Sequence, residues 1–233
     1  MKCVILAGGY GTRLGEETNN LPKPMIKIGN MPLLWHIMKI YSQHGINEFV
    51  ICCGYKGEII KEYFEKSDFK QWNVQTIDTG LDTMTGGRIK RIEKYVQDDT
   101  FCLSYGDDLK KVEISRLIDF HKKRNKIATM TITKPQPRFG IVEIDGDNVV
   151  DIKEKSKHDE KWINGGYFVL EPEIFDFIKE DKTVFEDEPL KNIAKMDQLS
   201  AFKYRDEYYP MDTLYDKNKL EELWETGKAY WKT

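Results

Sequence analysis

A glycine-rich turn, an arginine and a lysine flanked by prolines stand close together near the start of the chain. Leu6-Ala7-Gly8-Gly9-Tyr10-Gly11-Thr12-Arg13-Leu14 continues the apolar run Cys3-Val4-Ile5, and Lys23 lies between Pro22 and Pro24. A short apolar, partly β-branched run reads as a buried strand, and glycines directly after it open a tight turn that exposes main-chain N–H groups. With no Cβ in the way, oxyanions approach those donors closely, and Arg13 adds a planar cationic fork suited to phosphate oxygens. Pro22 and Pro24 fix their own φ and bias the residues before them toward extended backbone, so Lys23 stands on a stiff segment. The chemistry implied is the grip of a triphosphate, although a glycine turn also follows the first strand of many α/β proteins. A Walker loop needs Gly-Lys-Ser/Thr where this chain has Gly11-Thr12-Arg13, and a dinucleotide fingerprint needs a third glycine where it has Leu14.

Two aspartates complement the cations. Asp107 closes the run Ser104-Tyr105-Gly106-Asp107-Asp108 after an apolar strand, and Asp212 sits in Pro210-Met211-Asp212-Thr213. A hard divalent cation takes a few carboxylates together with phosphate oxygens and water, so two aspartates suffice to hold one. Helix capping is the competing role: Asp107 or Asp108 for the helix that follows, Asp212 for the terminal helix. A second glycine turn, Thr83-Met84-Thr85-Gly86-Gly87-Arg88, is either a ligand-facing cradle or a plain loop with a solvent-facing arginine. His36, His44, His121 and His158 show no metal spacing and read as structural or exposed.

With Arg13 and Lys23 included, the first segment resembles the signature of sugar-1-phosphate nucleotidyltransferases, a strand, Leu-Ala-Gly-Gly-x-Gly-Thr-Arg-Leu and then Pro-Lys-Pro. Similarity continues through Leu34-Trp35-His36-Ile37-Met38, Cys52-Cys53-Gly54-Tyr55-Lys56-Gly57, Asp78-Thr79-Gly80, Tyr105-Gly106-Asp107, Arg138-Phe139-Gly140, Asn164-Gly165-Gly166-Tyr167-Phe168 and Pro210-Met211-Asp212-Thr213-Leu214. These later blocks resemble the glucose-1-phosphate cytidylyltransferase branch. The resemblance implies a Rossmann-like, mostly parallel mixed sheet flanked by helices. It implies one nucleotidyltransferase domain over 1–233, with a nucleotide-binding half at about 1–127 and a sugar-binding half at about 128–233. The expected reaction joins the cytidylyl group of CTP to glucose 1-phosphate, giving CDP-glucose and pyrophosphate, with Mg2+ as cofactor.

By the same resemblance Arg13 and Lys23 are catalytic, and Leu6, Ala7, Gly8, Gly9, Gly11, Thr12, Thr83, Gly87 and Arg88 bind the nucleotide. Gly140, Glu154, Lys155, Asn164 and Gly165 would bind the acceptor, with Asp107 and Asp212 on the metal. Homo-oligomer formation is also expected. Three departures stand out. Asp108 replaces the family's usual glycine, Ser156 replaces the proline of Glu-Lys-Pro, and the segment from Phe64 to Trp72 is short where cytidylyltransferases carry an insertion that helps form subunit contacts. Use of another nucleoside triphosphate or phosphorylated acceptor, a silent nucleotide-sensing subunit and a nicotinamide dehydrogenase are the competing functions.

The elements that must position these residues are legible in outline. The sequence predicts strands over Cys3–Ala7, Phe49–Cys53, Val74–Asp78 and Thr100–Tyr105, and helices over Met31–Gly45 and Gly57–Phe64. This βαβ alternation implies a largely parallel sheet with ligands beyond its carboxyl ends. From Ala128 short strands succeed one another: Ala128–Thr133, Gly140–Ile144, Val149–Lys153 and Tyr167–Leu170, with Asp145-Gly146-Asp147-Asn148 as a hairpin turn. A charged amphipathic helix over Leu214–Gly227 ends the fold.

Composition sets the outer bounds. The 233 residues include 36 basic and 39 acidic side chains scattered through the chain, a balance with no nucleic-acid footprint. Cys3, Cys52, Cys53 and Cys102 fall in apolar runs without zinc spacing and read as buried free thiols, which suits a reducing cytoplasm. No run reaches membrane-spanning length, and the apolar start is too short for a secretory signal.

Overall fold

Apolar strands alternate with amphipathic helices through the first half of the chain, and a sheet buried on both faces is the result. The structure is a computed structural model and describes residues 1–67, 69–135, 140–153, 161–206 and 209–232. Strand β1 (Cys3–Leu6) is followed by the paired short strands β2 (Lys27–Ile28) and β3 (Met31–Pro32) and by helix α1 (Leu33–Ser42). Then come β4 (Glu48–Cys53), α2 (Gly57–Lys66), β5 (Asn73–Asp78), α3 (Thr85–Arg91), α4 (Glu93–Val96), β6 (Phe101–Tyr105), β7 (Asp108–Leu109) and α5 (Ile114–Arg124). The second half supplies β8 (Ala128–Thr133), β9 (Ile141–Asp145), β10 (Asn148–Lys153), β11 (Ile163–Leu170), α6 (Glu188–Lys195), β12 (Leu199–Lys203), β13 (Tyr209–Pro210) and α7 (Leu214–Glu225).

Seven strands form the central sheet in the order β12-β8-β11-β6-β1-β4-β5. β1 runs parallel to β4 and β6, β4 to β5, and β8 to β12, while β11 is antiparallel to both of its neighbours. The mostly parallel mixed sheet is thus as expected, and it draws strands from both halves of the chain. Alternate residues feed two core layers. Cys3, Ile5, Phe49, Ile51 and Cys53 face the layer closed by α1 and α7, whereas Val4, Val50, Cys52 and Leu103 face the layer closed by α3 and α6. Adjacent Cys52 and Cys53 therefore point to opposite faces, and all four cysteines are free and buried.

Several boundaries depart from expectation. Helix α1 starts at Leu33 rather than Met31, because Pro32 fixes its own φ, holds Met31 extended, and the two residues pair with Lys27–Ile28 instead. The Gly86–Gly87 pair lies in the first turn of α3, not in a loop. The capping role falls away for all three aspartates. Glu113 precedes α5, and Thr213 caps α7 in a capping box with Asp216. The hairpin turn between Asp145 and Asn148 stands as expected, joining β9 and β10 into a ribbon separate from the main sheet.

Candidate active site

The carboxyl ends of β1, β4, β5 and β6 converge on one edge of the sheet, and there a cavity of about 640 Å³ opens. Leu6, Ala7, Gly8, Gly9, Gly11 and Thr12 line one wall, and Lys23, Thr83, Arg88 and Asp107 line the rest with residues discussed below. The loop after β1 leaves its donors available. Among the described residues none accepts a hydrogen bond from the main-chain N–H groups of Gly8, Gly9, Tyr10, Gly11 or Thr12. Such a row of unspent donors next to a strand end is suited to anionic oxygens.

Lys23 is where the second element of the site enters. Pro22 is extended and the residues from Lys23 to Met25 make one 3-10 turn, which buries the lysine stem and turns its ammonium toward the acidic pair. Nζ lies 2.8 Å from Asp107 Oδ2 and 2.9 Å from Asp212 Oδ1. Burial works against the ammonium's charge, but the two carboxylates outweigh it and hold its pKa above the ordinary lysine value. Two aspartates distant in sequence thus meet around one cation; of these three groups, Lys23 and Asp107 line the cavity and Asp212 does not. Among the described residues no group of three or more His, Cys, Asp or Glu side chains could cage a metal. The pair therefore suits a hard cation that completes its shell from phosphate and water, and does not suit a zinc-type site.

Arg88 binds strand ends to one another. Its guanidinium lines the cavity, yet its donors go to the carbonyls of Gly8, Cys53, Gly80 and Leu81 and to the Thr79 hydroxyl, at 2.7 to 3.2 Å. One planar fork thereby ties the ends of β1, β4 and β5 to each other. Gly87 is buried and does not line the cavity: a Cβ there would stand 2.4 Å from the Asp181 carbonyl oxygen. The missing side chain lets α3 dock on the segment from 181 to 187, where the Thr183 carbonyl accepts from Gly86 N.

The expected acceptor residues stand further out. Asn164 and Gly165 lie on β11 beyond Tyr105 and do not line the cavity. Asn164 Nδ2 donates to Tyr105 Oη at 2.8 Å, and Asn164 Oδ1 accepts from Gly166 N at 2.8 Å. Gly165 is buried against the Thr131 carbonyl, 2.8 Å from where its Cβ would stand, so it is protein backbone that approaches it closely. Gly140 is exposed just ahead of β9. Glu154, Lys155 and the side chain of Arg13 lie outside the described residues.

Asp108, adjacent to Asp107, turns away from the cavity. Its carboxylate pairs with the fully buried Lys110, and its carbonyl accepts from the Tyr167 hydroxyl at 3.0 Å. Lys182 and Glu186 line the cavity from outside every motif named above, whereas Tyr105 belongs to the Tyr105-Gly106-Asp107 block but has no expected role there. Glu186 comes from a segment that drew no expectation, and its distant partners Thr85 and Tyr105 give it a place in the site.

Comparison with known proteins extends the geometry. A family model described as nucleotidyl transferase matches residues 2–232. A glucose-1-phosphate cytidylyltransferase of Salmonella typhi is 50% identical over 255 aligned positions that cover 100% of this chain and 99% of the relative. A probable glucose-1-phosphate cytidylyltransferase of Bacillus subtilis is 40% identical, with 100% and 99% covered. The crystal structure of HddC from Yersinia pseudotuberculosis complexed with GMP-PN superposes with a TM-score of 0.74 at 26% identity, covering 96% of this chain and 99% of that one. Because these matches run through both halves of the sheet and not the glycine loop alone, the chain belongs to the nucleotidyl transferase family and is a nucleotidyltransferase.

Proposed function

We propose that this enzyme transfers the cytidylyl group of CTP to α-D-glucose 1-phosphate, releasing pyrophosphate and giving CDP-glucose. The observation that carries the reading is the meeting of Asp107 and Asp212 at the Lys23 ammonium, beside the loop of unspent N–H donors. The whole-length likeness to glucose-1-phosphate cytidylyltransferases selects the nucleotide and the acceptor.

The reaction is an in-line displacement: an oxygen of the acceptor phosphate attacks the α-phosphorus of CTP, and the bond to the bridging oxygen of pyrophosphate breaks. Alignment and charge neutralisation are what such a step needs from a protein. In this reading the N–H groups of Gly8 to Thr12 cradle the β- and γ-phosphates, with Arg13 and Lys23 adding positive charge. Asp107 and Asp212 would hold Mg2+, whose charge offsets that of the triphosphate and makes the α-phosphorus more electrophilic. Lys155 would seat the acceptor phosphate, while Glu154, Asn164, Gly140 and Gly165 shape the sugar side. The acceptor phosphate is already an anion near neutral pH, so no general base is called for.

The enzyme is placed in the cytoplasm, a reading supported by four buried free thiols and by the fact that no helix of the described chain is long and apolar enough to cross a membrane. We also propose a homo-oligomer, supported by an apolar face on the β9–β10 ribbon. The test of the reaction is pyrophosphate release from a panel of nucleoside triphosphates crossed with sugar 1-phosphates, with Mg2+ present or chelated. Turnover is expected with CTP and glucose 1-phosphate and is lost on chelation. Asp107→Asn and Asp212→Asn are expected to lower kcat by about a hundredfold or more with an unchanged circular-dichroism spectrum. Wild-type turnover in both variants would refute the assignment of the metal.

A further inference from the structure

We propose that the Glu186 carboxylate reads ring hydroxyls of the acceptor hexose, held in position by Tyr105 and Thr85. The proposal rests on the reading of the cavity as the site of nucleotidyl transfer and adds to it a residue that determines specificity for the sugar. Glu186 reaches the cavity wall from the segment between the 3-10 turn at Pro172–Phe177 and α6. Phe185 anchors that segment: its ring is buried and packs edge-on against Phe168 of β11 at 5.6 Å between centroids. The carboxylate is therefore fixed over the β6 and β11 side of the sheet, where the acceptor-side residues lie.

Both carboxylate oxygens are pinned. Oε2 accepts from the Thr85 hydroxyl at 2.6 Å, and the Phe185 N–H donates to the same hydroxyl at 2.9 Å. Oε1 accepts from the Tyr105 hydroxyl, which in turn accepts from Asn164 Nδ2 at 2.8 Å. An ionised carboxylate offers about four lone-pair positions, and these two bonds leave acceptor capacity on a residue that lines the cavity.

The chemistry of the ligand selects what meets it. Phosphate groups repel a carboxylate, and they are placed at the glycine loop and the Asp107–Asp212 pair. The part of the ligand beside Glu186 must therefore be neutral and rich in donors. A hexose ring presents several hydroxyls, and a carboxylate locked at both oxygens discriminates among their positions by geometry. Tyr105 and Thr85 are positioning residues in this scheme, acting only through the carboxylate they hold.

The test measures initial rates of pyrophosphate release by the full-length enzyme with CTP and either glucose 1-phosphate or its 2-, 3-, 4- and 6-deoxy analogues. Glu186→Gln, which keeps the size of the side chain, is expected to raise KM for glucose 1-phosphate about tenfold or more while leaving KM for CTP within about twofold. Wild type should lose about tenfold in kcat/KM with at least one deoxy analogue, and Glu186→Gln should lose far less with that same analogue, which identifies the hydroxyl read. Thr85→Val, which leaves the charge in place but frees one oxygen, should give a smaller rise in acceptor KM and a weaker penalty for that analogue. An active wild type whose Glu186→Gln and Thr85→Val variants keep their acceptor KM, or raise KM for CTP alone, overturns the proposal while the proposed reaction stands. A wild type silent with CTP and glucose 1-phosphate overturns the reaction, and the proposal with it.

Discussion

At the scale of single residues, the acidic stretch after β6 separates two uses of the same side chain. Asp107 faces the cavity and meets Lys23, whereas Asp108 turns inward to Lys110, whose side chain is 0% exposed. Burial pushes the Lys110 ammonium down and the Asp108 carboxyl up, and each group's charge is sustained by the other. The extra carboxylate that takes the place of a glycine is thus neutralised within the fold instead of adding charge to the metal site. Removing one member of such a pair strands the other as a buried charge, which costs about 3–5 kcal/mol. Lys110→Met is accordingly expected to lose that much in urea unfolding. Asp108→Leu combined with Lys110→Met should recover most of the loss, because replacing both charges by apolar groups is often close to neutral. A Lys110→Met protein as stable as wild type would mean that the pair carries no such stake.

At the scale of elements, the β9–β10 ribbon presents an apolar face that the described residues leave exposed. Cross-strand partners Val142 and Ile152, and Ile144 and Val149, share one face and are 51 to 71% exposed, while Glu143 and Asp151 occupy the other. A two-stranded ribbon is marginally stable alone, and in the homo-oligomer proposed above this apolar face would dock on a second copy. Light scattering at micromolar concentration is expected to give a mass above 27.4 kDa. Ile144→Lys with Ile152→Lys is expected to shift the protein to monomers that keep their circular-dichroism spectrum. A wild-type monomer at that concentration would remove the idea. The ribbon and the sheet strands β1, β4, β5, β6, β8 and β11 were legible in the sequence because each is a local apolar run or is flanked by a turn signal such as Asp145-Gly146-Asp147-Asn148, whereas β12 drew no expectation. Arg88, Gly87 and Glu186 were not legible in the same way. Their parts are set by carbonyls and hydroxyls that arrive from other segments: the family resemblance set Arg88 against the nucleotide, and only the fold adds that its donors tie three strand ends together. Lys23 and Asp212 were legible as types, but their meeting depends on how the chain closes.

That closure belongs to the whole molecule. β13 pairs with β7, setting Pro210 opposite Asp108 and so bringing Asp212 back to the end of β6. Helix α7 then packs on the segment that leads into α1: Glu221 accepts from Gly29 N at 2.8 Å, and Trp224 and Trp231 close edge-on around the His36 ring at 5.0 and 6.2 Å between centroids. His36 is 2% exposed, and its Nε2 lies 2.9 Å from the Ile28 carbonyl, so the neutral tautomer with the proton on Nε2 fits the site. Burial holds its pKa below the ordinary histidine value, outweighing the main-chain bonds that favour the charged form. The unfolded imidazole takes up its proton near pH 6.5, and the folded one only at lower pH. Between those two values the unfolded chain binds more protons, so stability contributed by the neutral ring is present above pH 6.5 and drains away as the pH falls through that window. The urea midpoint of wild type is therefore expected to drop between pH 7.5 and 5.5 more steeply than that of His36→Gln, which has no imidazole to protonate at this position. The gap between the two proteins should be widest at the upper pH and narrow on acidification. Parallel curves across the range would show that His36 keeps the same proton affinity folded and unfolded, and the tail would then be held against α1 by packing alone.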